Sequence, residues 1–339
     1  MKSLVSRVEL TLQKYKMLNP GERVWVACSG GPDSVALFHL LREIAPHLGI
    51  RLGLLHFDHA LRKESRRDFQ FVKALARRLH LPFFGARAEA KAARKGLSPE
   101  ENARALRYDF FEKAAKKSGV RKIALAHHRD DQAETILMRL IQGTGLRGLR
   151  GIRPVLQRKG TTFIRPLIQV SRSEIRRFLK KNSFTFREDS TNRSRRFLRN
   201  RIRWRLLPVL EREFNPRIRE ALCRLAETAC AESKGLDDWI RQNWKKYLAS
   251  RRNGTLQLER DRFLSLPPFL QFRLLDQILR QADPQSGLDF ESWERIEKEL
   301  TKGRVRMTLP RNLDLNLTGK KLFIRKNDTI NNEVRKKRA

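Results

Sequence analysis

ACSGGPDSVALFHLL, residues 27–41, joins a predicted strand to a predicted helix through two adjacent glycines. The apolar run just before the glycines, residues 24–28, is typical of a short buried strand. Apolar residues then recur with a helical period from residue 35 onward. Pro32 suits the first turn of a helix, because its missing N–H would have no partner there. The segment therefore predicts a strand–loop–helix unit with its loop at residues 29–34.

This loop has the features of a phosphate-binding site. Unpaired N–H groups and the positive dipole end meet at a helix N-terminus, and glycines let the backbone approach an anion closely. Two common nucleotide-binding patterns do not fit, because Gly30 and Gly31 are adjacent and neither a lysine nor a third glycine follows them. The same residues could simply cap a helix, so both interpretations stay open at this point.

Strand-like and helix-like segments alternate through residues 24–182. This alternation predicts an α/β fold with a parallel sheet and helices on both faces, in which ligands bind at the carboxyl ends of the strands. Polar residues follow three of the predicted strands, at residues 29–31, 56–59 and 127–128. Beyond residue 215 we expect mainly helices up to residue 300, and then short strands with a turn at Thr318 and Gly319.

The charge of the chain predicts a polyanionic partner. Among 339 residues, 74 Lys and Arg against 37 Asp and Glu give a formal net charge of +37. Residues 139–225 alone carry 24 basic against 6 acidic residues, which is a local surplus of 18. Phe197 and Trp204 lie among these arginines, a mixture that suits RNA. The alternative to a polyanionic partner is that these basic residues are solvated on the surface and only keep the protein soluble.

Acidic residues cluster where the chain is otherwise basic. Asp33 begins the first helix, where it could complement the helix dipole or hold Mg²⁺ beside a bound phosphate. Asp130, Asp131 and Glu134 share one face of a later helix and would repel each other there. They therefore predict a nearby cation, either a metal or an ammonium group.

Other polar residues support weaker interpretations. His56, Asp58 and His59 have no further histidines or cysteines to complete a metal site, so phosphate contact or hydrogen bonding is favoured over zinc. Arg104 and Arg107 lie one turn apart, either on a solvated helix face or aimed at a phosphate or nucleobase. No apolar run is long enough to span a membrane, and the three cysteines form no Cys-x-x-Cys pair, so we expect a cytoplasmic protein.

Taken together, the motifs resemble those of the tRNA(Ile)-lysidine synthetases, a family of PP-loop ATPases. The loop alone is shared with several PP-loop enzymes, whereas the later motifs are more particular. One departure is Ala60, where a glycine is usual in the family. The resemblance rests on Ser29-Gly30-Gly31-Pro32-Asp33-Ser34, His56-Phe57-Asp58-His59, Asn102-Ala103-Arg104, Arg107-Tyr108, His127-x-x-Asp130-Asp131-Gln132-x-Glu134-Thr135, Gly143-Thr144-Gly145, Arg165-Pro166-Leu167, Glu188-Asp189-Ser190-x-Asn192 and Arg199-Asn200-x-Ile202-Arg203.

The resemblance implies a two-step ligase reaction. ATP adenylates the C2 carbonyl oxygen of the wobble cytidine in the CAU anticodon of tRNA(Ile), and pyrophosphate leaves. The ε-amino group of free L-lysine then attacks C2 and AMP leaves. The product base, lysidine, pairs with A instead of G, so the tRNA reads AUA.

The resemblance also implies roles for individual residues. Catalytic roles fall to Asp33, Arg107, Asp131 and Glu134. Lysine would be bound by Asp131 and Glu134, and Mg²⁺ by Asp33, with Asp131 open between metal and lysine. ATP contacts are expected from Ser29, Gly30, Gly31, Pro32, Asp33, Ser34, His56 and His127, and tRNA contacts from Arg199, Arg201, Arg203 and Arg205.

On this basis we expect a Rossmann-like PP-loop catalytic domain at residues 1–215. A helical linker and a small α+β tRNA-binding domain would follow at residues 216–330, and a basic tail at residues 331–339. The oligomeric state is open between a monomer and a homodimer. Two other functions remain as alternatives: a tRNA-thiolating PP-loop ligase, and a non-catalytic RNA-binding protein with a degenerate nucleotide loop.

Overall fold

A computed structural model describes residues 3–58, 65–88, 99–187, 197–252, 255–282, 287–302, 305–309 and 313–326. The chain divides into two compact units, Met1–Ala229 and Cys230–Ala339. This division falls within a helix, Ile218–Asn243, whereas the predicted boundary lies at residue 215. The predicted basic tail, His59 and the Glu188–Asn192 motif lie outside the described residues.

A six-stranded sheet forms the centre of the first unit. Its strands follow the spatial order β3-β2-β1-β4-β6-β5, and every neighbouring pair is parallel except β5 with β6. The predicted parallel sheet is therefore confirmed for five strands, with one antiparallel strand at the edge that was not expected. The strands are β1 (Arg23–Ala27), β2 (Arg51–Asp58), β3 (Phe83–Arg87), β4 (Lys122–Ala124), β5 (Val155–Arg158) and β6 (Thr161–Ile164).

Helices surround this sheet. The described ones are α1 (Leu4–Lys14), α2 (Pro32–Leu48), α3 (Ser65–Arg78), α4 (Pro99–Ser118), α5 (Arg129–Ile141), α6 (Leu146–Leu149), α7 (Arg172–Lys181), α8 (Leu198–Arg201), α9 (Leu207–Val209) and α10 (Ile218–Asn243). Two π-helical segments, Ile202–Leu206 and Leu210–Phe214, flank α9.

The strand order places a crevice beside β1. The chain runs outward from β1 to β2 and β3 on one side, and β4 pairs with β1 on the other side. Ligands of such sheets bind at this reversal of strand order, beyond the carboxyl ends of the strands. The loop after β1 leads into α2 and the residues after β4 lead into α5, so the N-termini of both helices lie at that edge. Apolar residues of α2 anchor it, because every residue from position 35 to position 41 except His39 belongs to the buried core of the first unit.

The second unit holds an antiparallel sheet with helices packed on it. Its strands follow the order β7-β8-β11-β10-β9. The predicted turn at Thr318 and Gly319 is confirmed between β10 and β11. Two strands fall in a region predicted to be helical, so that prediction is wrong there. The elements are β7 (Leu248–Arg252), β8 (Thr255–Glu259), α11 (Arg260–Leu264), α12 (Pro268–Ala282), α13 (Phe290–Thr301), β9 (Val305–Leu309), β10 (Leu313–Thr318) and β11 (Lys321–Lys326), with a 3₁₀ turn at Trp244–Lys246.

Candidate functional site

Hydrogen bonds within the glycine loop, and one from Arg187, fix the conformation of the loop. Gly30 adopts φ +89°, a conformation that side chains strain to reach, and its carbonyl accepts from the Arg187 N–H at 2.9 Å. Ser34 Oγ accepts from the Ser29 N–H at 3.1 Å and donates to the Gly31 carbonyl at 2.9 Å. Gly31 caps α2, and Pro32 follows in the first turn. The loop is thus a fixed cradle at a helix N-terminus, as an anion site requires.

A cavity of about 370 Å³ opens in front of this loop. Its volume falls in the range of small-molecule and cofactor sites. Seven of the predicted site residues line it, and so do Arg203, predicted to contact tRNA, and Arg172, which was not predicted to take part. Arg172 was missed because it is one of many arginines in a basic stretch, and no motif distinguishes it. The predicted residues that line the cavity are Ser29, Gly31, Pro32, Asp33, Ser34, Arg107 and His127.

The two predicted histidines take different positions. His127 lines the cavity, and burial together with Arg165 lowers its pKa well below the usual range, so the ring is neutral. His56 does not line the cavity: it is 3% exposed, and its Nδ1–H donates to the Cys28 carbonyl at 2.8 Å. Burial also lowers the pKa of His56. In this position His56 supports the backbone that enters the loop.

The acidic cluster at the start of α5 already has cations, and they are arginines of the same chain. Glu134 is 1% exposed, and its carboxylate accepts from Arg199 Nε at 2.8 Å and from Arg203 Nε at 2.5 Å. Asp131 Oδ1 accepts from Arg199 Nη2 at 2.9 Å. Its other oxygen accepts from the His128 N–H at 3.0 Å. Two guanidinium groups therefore balance the charge of this cluster, and the predicted metal or ammonium group stays a prediction.

Asp130 points to a different set of donors. One oxygen accepts from Arg219 Nη1 and the other from the Arg172 N–H, both at 2.9 Å. Asp130 thereby ties the start of α5 to the first turns of α7 and α10. Asp130 thus has a different arginine partner from Asp131 and Glu134, although their spacing suggested one shared cation, and His128 lies within 3.6 Å of both aspartates.

His128 lies among the aspartates at the entrance of α5. Its Nε2 is 3.6 Å from Asp33 Oδ2 and 3.5 Å from Asp131 Oδ2, and the side chain is 2% exposed. Burial alone would lower the pKa of His128, but Asp131 and Asp33 outweigh it and raise the pKa to about 9. Burial opposes ionisation of Asp131 too, yet His128 and Arg199 hold its pKa well below the usual range. The ring is thus an imidazolium that carries positive charge to Asp33.

The four arginines predicted to contact tRNA divide into two pairs. Arg199 and Arg203 turn toward α5 and form the ion pairs with Asp131 and Glu134. Arg201 and Arg205 are exposed. The arginines therefore lie on opposite sides of one helical segment, even though they alternate along the chain.

Asp33 fits a cation at the cavity better than Asp131 does. Asp33 Oδ1 is buried and has no hydrogen-bond partner among the residues that the structure describes, whereas both oxygens of Asp131 accept hydrogen bonds from the protein. Across the described residues, no three His, Cys, Asp or Glu side chains gather as a metal site. Mg²⁺ commonly needs only one or two carboxylates when a phosphate supplies other ligands, so Asp33 alone meets that requirement.

Where the strand order reverses, a strand, a glycine loop and a helix meet in front of a cavity of about 370 Å³. This arrangement defines a PP-loop protein. The chain belongs to the PP-loop domain family, whose profile matches residues 4–210. It is 43% identical to the tRNA(Ile)-lysidine synthase of Symbiobacterium thermophilum over 243 residues, which is 70% of this chain and 50% of that protein. The enzyme of that name from Thermotoga maritima is 43% identical over 62% of this chain and 50% of its own length. These matches confirm the resemblance that the motifs indicate.

A third relative and one solved structure are also similar to this chain. The tRNA(Ile)-lysidine synthase of Clostridioides difficile is 28% identical over 98% of this chain and 72% of its own length. The chain spans about half the length of the first two relatives. Among solved structures, a U34-tRNA thiolase from Methanococcus maripaludis has a TM-score of 0.56 at 16% identity, over 66% of this chain and 76% of that one. That likeness concerns the fold alone.

Among the helices that the structure describes, none has the length and apolar character needed to cross a lipid bilayer.

Proposed function

We propose that this protein ligates lysine to C2 of the wobble cytidine in the CAU anticodon of tRNA(Ile), with ATP as the energy source. One observation carries the proposal. The glycine loop, Arg107 and Asp33 line one cavity, which lies where the strand order reverses and beside the acidic start of α5. The names of the relatives support the same activity.

The first step would be adenylation of the base. The C2 carbonyl oxygen attacks the α-phosphorus of ATP, and the bond to the β-phosphate oxygen breaks as pyrophosphate leaves. The N–H groups of the loop would hold the phosphates, and guanidiniums of Arg107, Arg172 and Arg203 on the cavity wall would balance their charge. Because these groups are fixed before ATP binds, a lysine after the loop is unnecessary.

The second step would be attack by the ε-amino nitrogen of lysine on C2. The ammonium group would first give one proton to Asp131, Glu134 or water, which frees the lone pair of the nitrogen. The C–N bond then forms, the C2–O bond breaks, the oxygen departs with AMP, and the nitrogen gives a second proton to the same acceptors. Lysine binding by Asp131 and Glu134 stays a prediction. Since both carboxylates accept from Arg199, the ammonium group of lysine would have to take the place of a guanidinium donor.

Mg²⁺ would be held by Asp33, which lines the cavity and whose Oδ1 accepts no hydrogen bond from the described part of the chain. When bound, the metal neutralises phosphate charge as pyrophosphate departs. The His128 imidazolium, 3.6 Å from the other oxygen of Asp33, would keep the carboxylate oriented. Arg201 and Arg205 would contact tRNA phosphates, and the second unit would hold more of the tRNA. A cytoplasmic location and the choice between monomer and homodimer also stay predictions.

A tRNA-thiolating ligase is the second candidate, since it would share the fold and the adenylation step. Sulfur transfer commonly uses paired, ionised cysteines. Burial raises the pKa of Cys28, and burial raises the pKa of Cys223 to about 12. Both thiols are therefore held in the protonated form, which disfavours thiol chemistry. A non-catalytic RNA-binding protein is disfavoured because the whole cradle of loop, Asp33 and His128 is in place.

The test is incubation of the protein with ATP, labelled lysine and minor tRNA(Ile), followed by mass analysis of the nucleosides. We expect cytidine plus lysine minus water, with one AMP and one pyrophosphate per product. An elongator methionine tRNA with the same anticodon serves as the matched control and should stay unmodified. Incorporation of sulfur, or tRNA binding with no ATP consumption, would replace the proposal by one of the two alternatives.

A further inference from the structure

A stripe of exposed residues runs along the segment from Phe197 to Pro208. Phe197 is 48% exposed and Trp204 is 50% exposed. Arg201, Arg205 and Pro208 are exposed with them. The opposite side is buried or paired, with Ile202 and Leu207 in the apolar cluster beneath α5 and with Arg199 and Arg203 on its carboxylates.

The buried side fixes the orientation of the exposed side. Trp204 lies in the π-helical segment Ile202–Leu206, between Arg203, which bonds Glu134, and Leu207, which is fully buried. A π-helical turn is rare and often occurs at functional sites. Because Arg203 is bound to Glu134 and Leu207 is buried, the backbone that carries Trp204 is fixed in place.

Trp204 is also linked to the cavity. The Arg172 guanidinium carbon lies over the Trp204 ring, 5.8 Å from its centroid, and Arg172 lines the cavity. Arg203, next to Trp204 in sequence, lines it too. Arg172 is therefore the side chain that separates the indole from the cavity, which would take a reacting nucleotide. Half of the surface of Trp204 is exposed to solvent.

The charged residues around Trp204 indicate which class of partner would bind this exposed surface. Arg201 and Arg205 flank Trp204 along the exposed stripe, whereas Arg199 and Arg203 are the arginines that pair with Asp131 and Glu134. Residues of this kind attract a polyanion. An exposed indole beside two guanidiniums suits a nucleobase whose backbone phosphates meet the arginines, since every base offers a π-face. An apolar protein partner would instead have to desolvate both charges.

We propose that Trp204 is the stacking platform for an unpaired nucleobase of the RNA substrate, next to the nucleotide that enters the cavity. The inference rests on the proposed function in taking an anticodon loop as the substrate. A nucleotide in the cavity brings its neighbours to the cavity mouth, where Arg172 and Trp204 lie. Stacking there would hold the strand in register without reading its sequence.

The test compares binding of a CAU anticodon stem–loop RNA by wild type, Trp204→Ala, Trp204→Phe and Phe214→Ala. We expect Trp204→Ala to weaken binding by about 5- to 100-fold, with an unchanged slope of log affinity against log salt, because stacking releases no counterions. Trp204→Phe should recover most of the affinity. Phe214→Ala is the matched control: Phe214 is 73% exposed in the same unit, and its loss should change nothing.

A fully paired RNA of the same length provides the second comparison. Its bases are not free to stack, so wild type and Trp204→Ala should bind it equally. Equal affinity of the two proteins for the stem–loop, or equal losses on both RNAs, would overturn the role of Trp204. If wild type binds the stem–loop through Trp204 but forms no lysidine, the proposed function fails alone. If wild type does not bind the stem–loop, both fail.

Discussion

His128 Nε2 lies 3.6 Å from Asp33 Oδ2, so a buried imidazolium connects the start of α5 to the start of α2. These two helices follow β1 and β4, which pair directly in the sheet. The contact therefore crosses the crevice at the point where the strand order reverses. None of the described residues donates a hydrogen bond to the other oxygen, Asp33 Oδ1, and Asp33 lines the cavity.

Asp33→Ala should abolish pyrophosphate release and leave tRNA binding intact. The change removes the carboxylate that faces the phosphate cradle but touches none of the exposed arginines. Pyrophosphate release and stem–loop affinity are the two measurements. Asp261→Ala is the matched control, because Asp261 is also an aspartate in the first turn of a helix. Weak tRNA binding with normal adenylation would reverse the assignment.

Glu134→Gln should lower the free energy of unfolding by about 3 kcal/mol, because two partly buried guanidiniums lose one of their two counter-charges and keep only Asp131. Urea unfolding measures this loss. Glu220→Gln, which removes an ion pair of Arg129 with a 36% exposed carboxylate, should cost at most about 1 kcal/mol.

In the folded Glu134→Gln protein, lysine transfer should fall more than adenylation, so adenylated tRNA should accumulate. Loss of ATP binding, with no adenylated tRNA at any lysine concentration, would instead place Glu134 with the metal ligands.

Local patterns were enough to predict the central sheet and the cradle. The loop at residues 29–34 joins the predicted strand to the predicted helix, and the polar residues after β1 and β4 meet as expected. Both results follow from short-range geometry, because parallel strands bring their carboxyl ends to one edge. The strand Thr255–Glu259 was missed, although its burial alternates along the chain, because five residues between helical patterns carry little signal.

The pairing of the arginines could not be predicted from the sequence. Arg199, Arg201, Arg203 and Arg205 have the same residue type and a regular spacing, and the partners of the buried pair are more than 60 residues away along the chain. The π-helical segment also changes the periodicity, so a count of 3.6 residues per turn does not assign faces there. Only tertiary packing against α5 distinguishes the two pairs.

Arg201→Ala combined with Arg205→Ala should weaken tRNA binding at low salt and make the salt dependence shallower. If each arginine meets one phosphate, the slope of log affinity against log salt should fall by about 0.7 to 0.9 per contact. ATP binding should not change, because neither residue lines the cavity. Arg217→Ala, an exposed arginine of the same unit, is the control. An unaltered slope in the double variant would move the tRNA surface to the second unit.

His39 should make the protein sensitive to mild acid. The ring stacks on Phe184 with centroids 3.6 Å apart, and burial, Arg42 and Arg78 lower its pKa from 6.5 to about 4. Below pH 6.5 the unfolded chain therefore binds a proton that the folded protein does not accept until about pH 4. The contribution of the neutral ring is complete above pH 6.5 and is lost as the pH falls toward 4.

The expected loss of unfolding free energy between these pH values is at most about 3 kcal/mol, the value that the full pKa shift of a buried ring would give. His39→Phe keeps the stack on Phe184 but has no proton to bind, so the variant should lack this part of the pH dependence. Urea unfolding at pH 7, 5.5 and 4 gives the difference between the two proteins, in which the titrating carboxylates cancel. His47→Gln, at a side chain 70% exposed, should follow wild type. Parallel curves for wild type and His39→Phe would mean that the folded protein protonates His39 without cost.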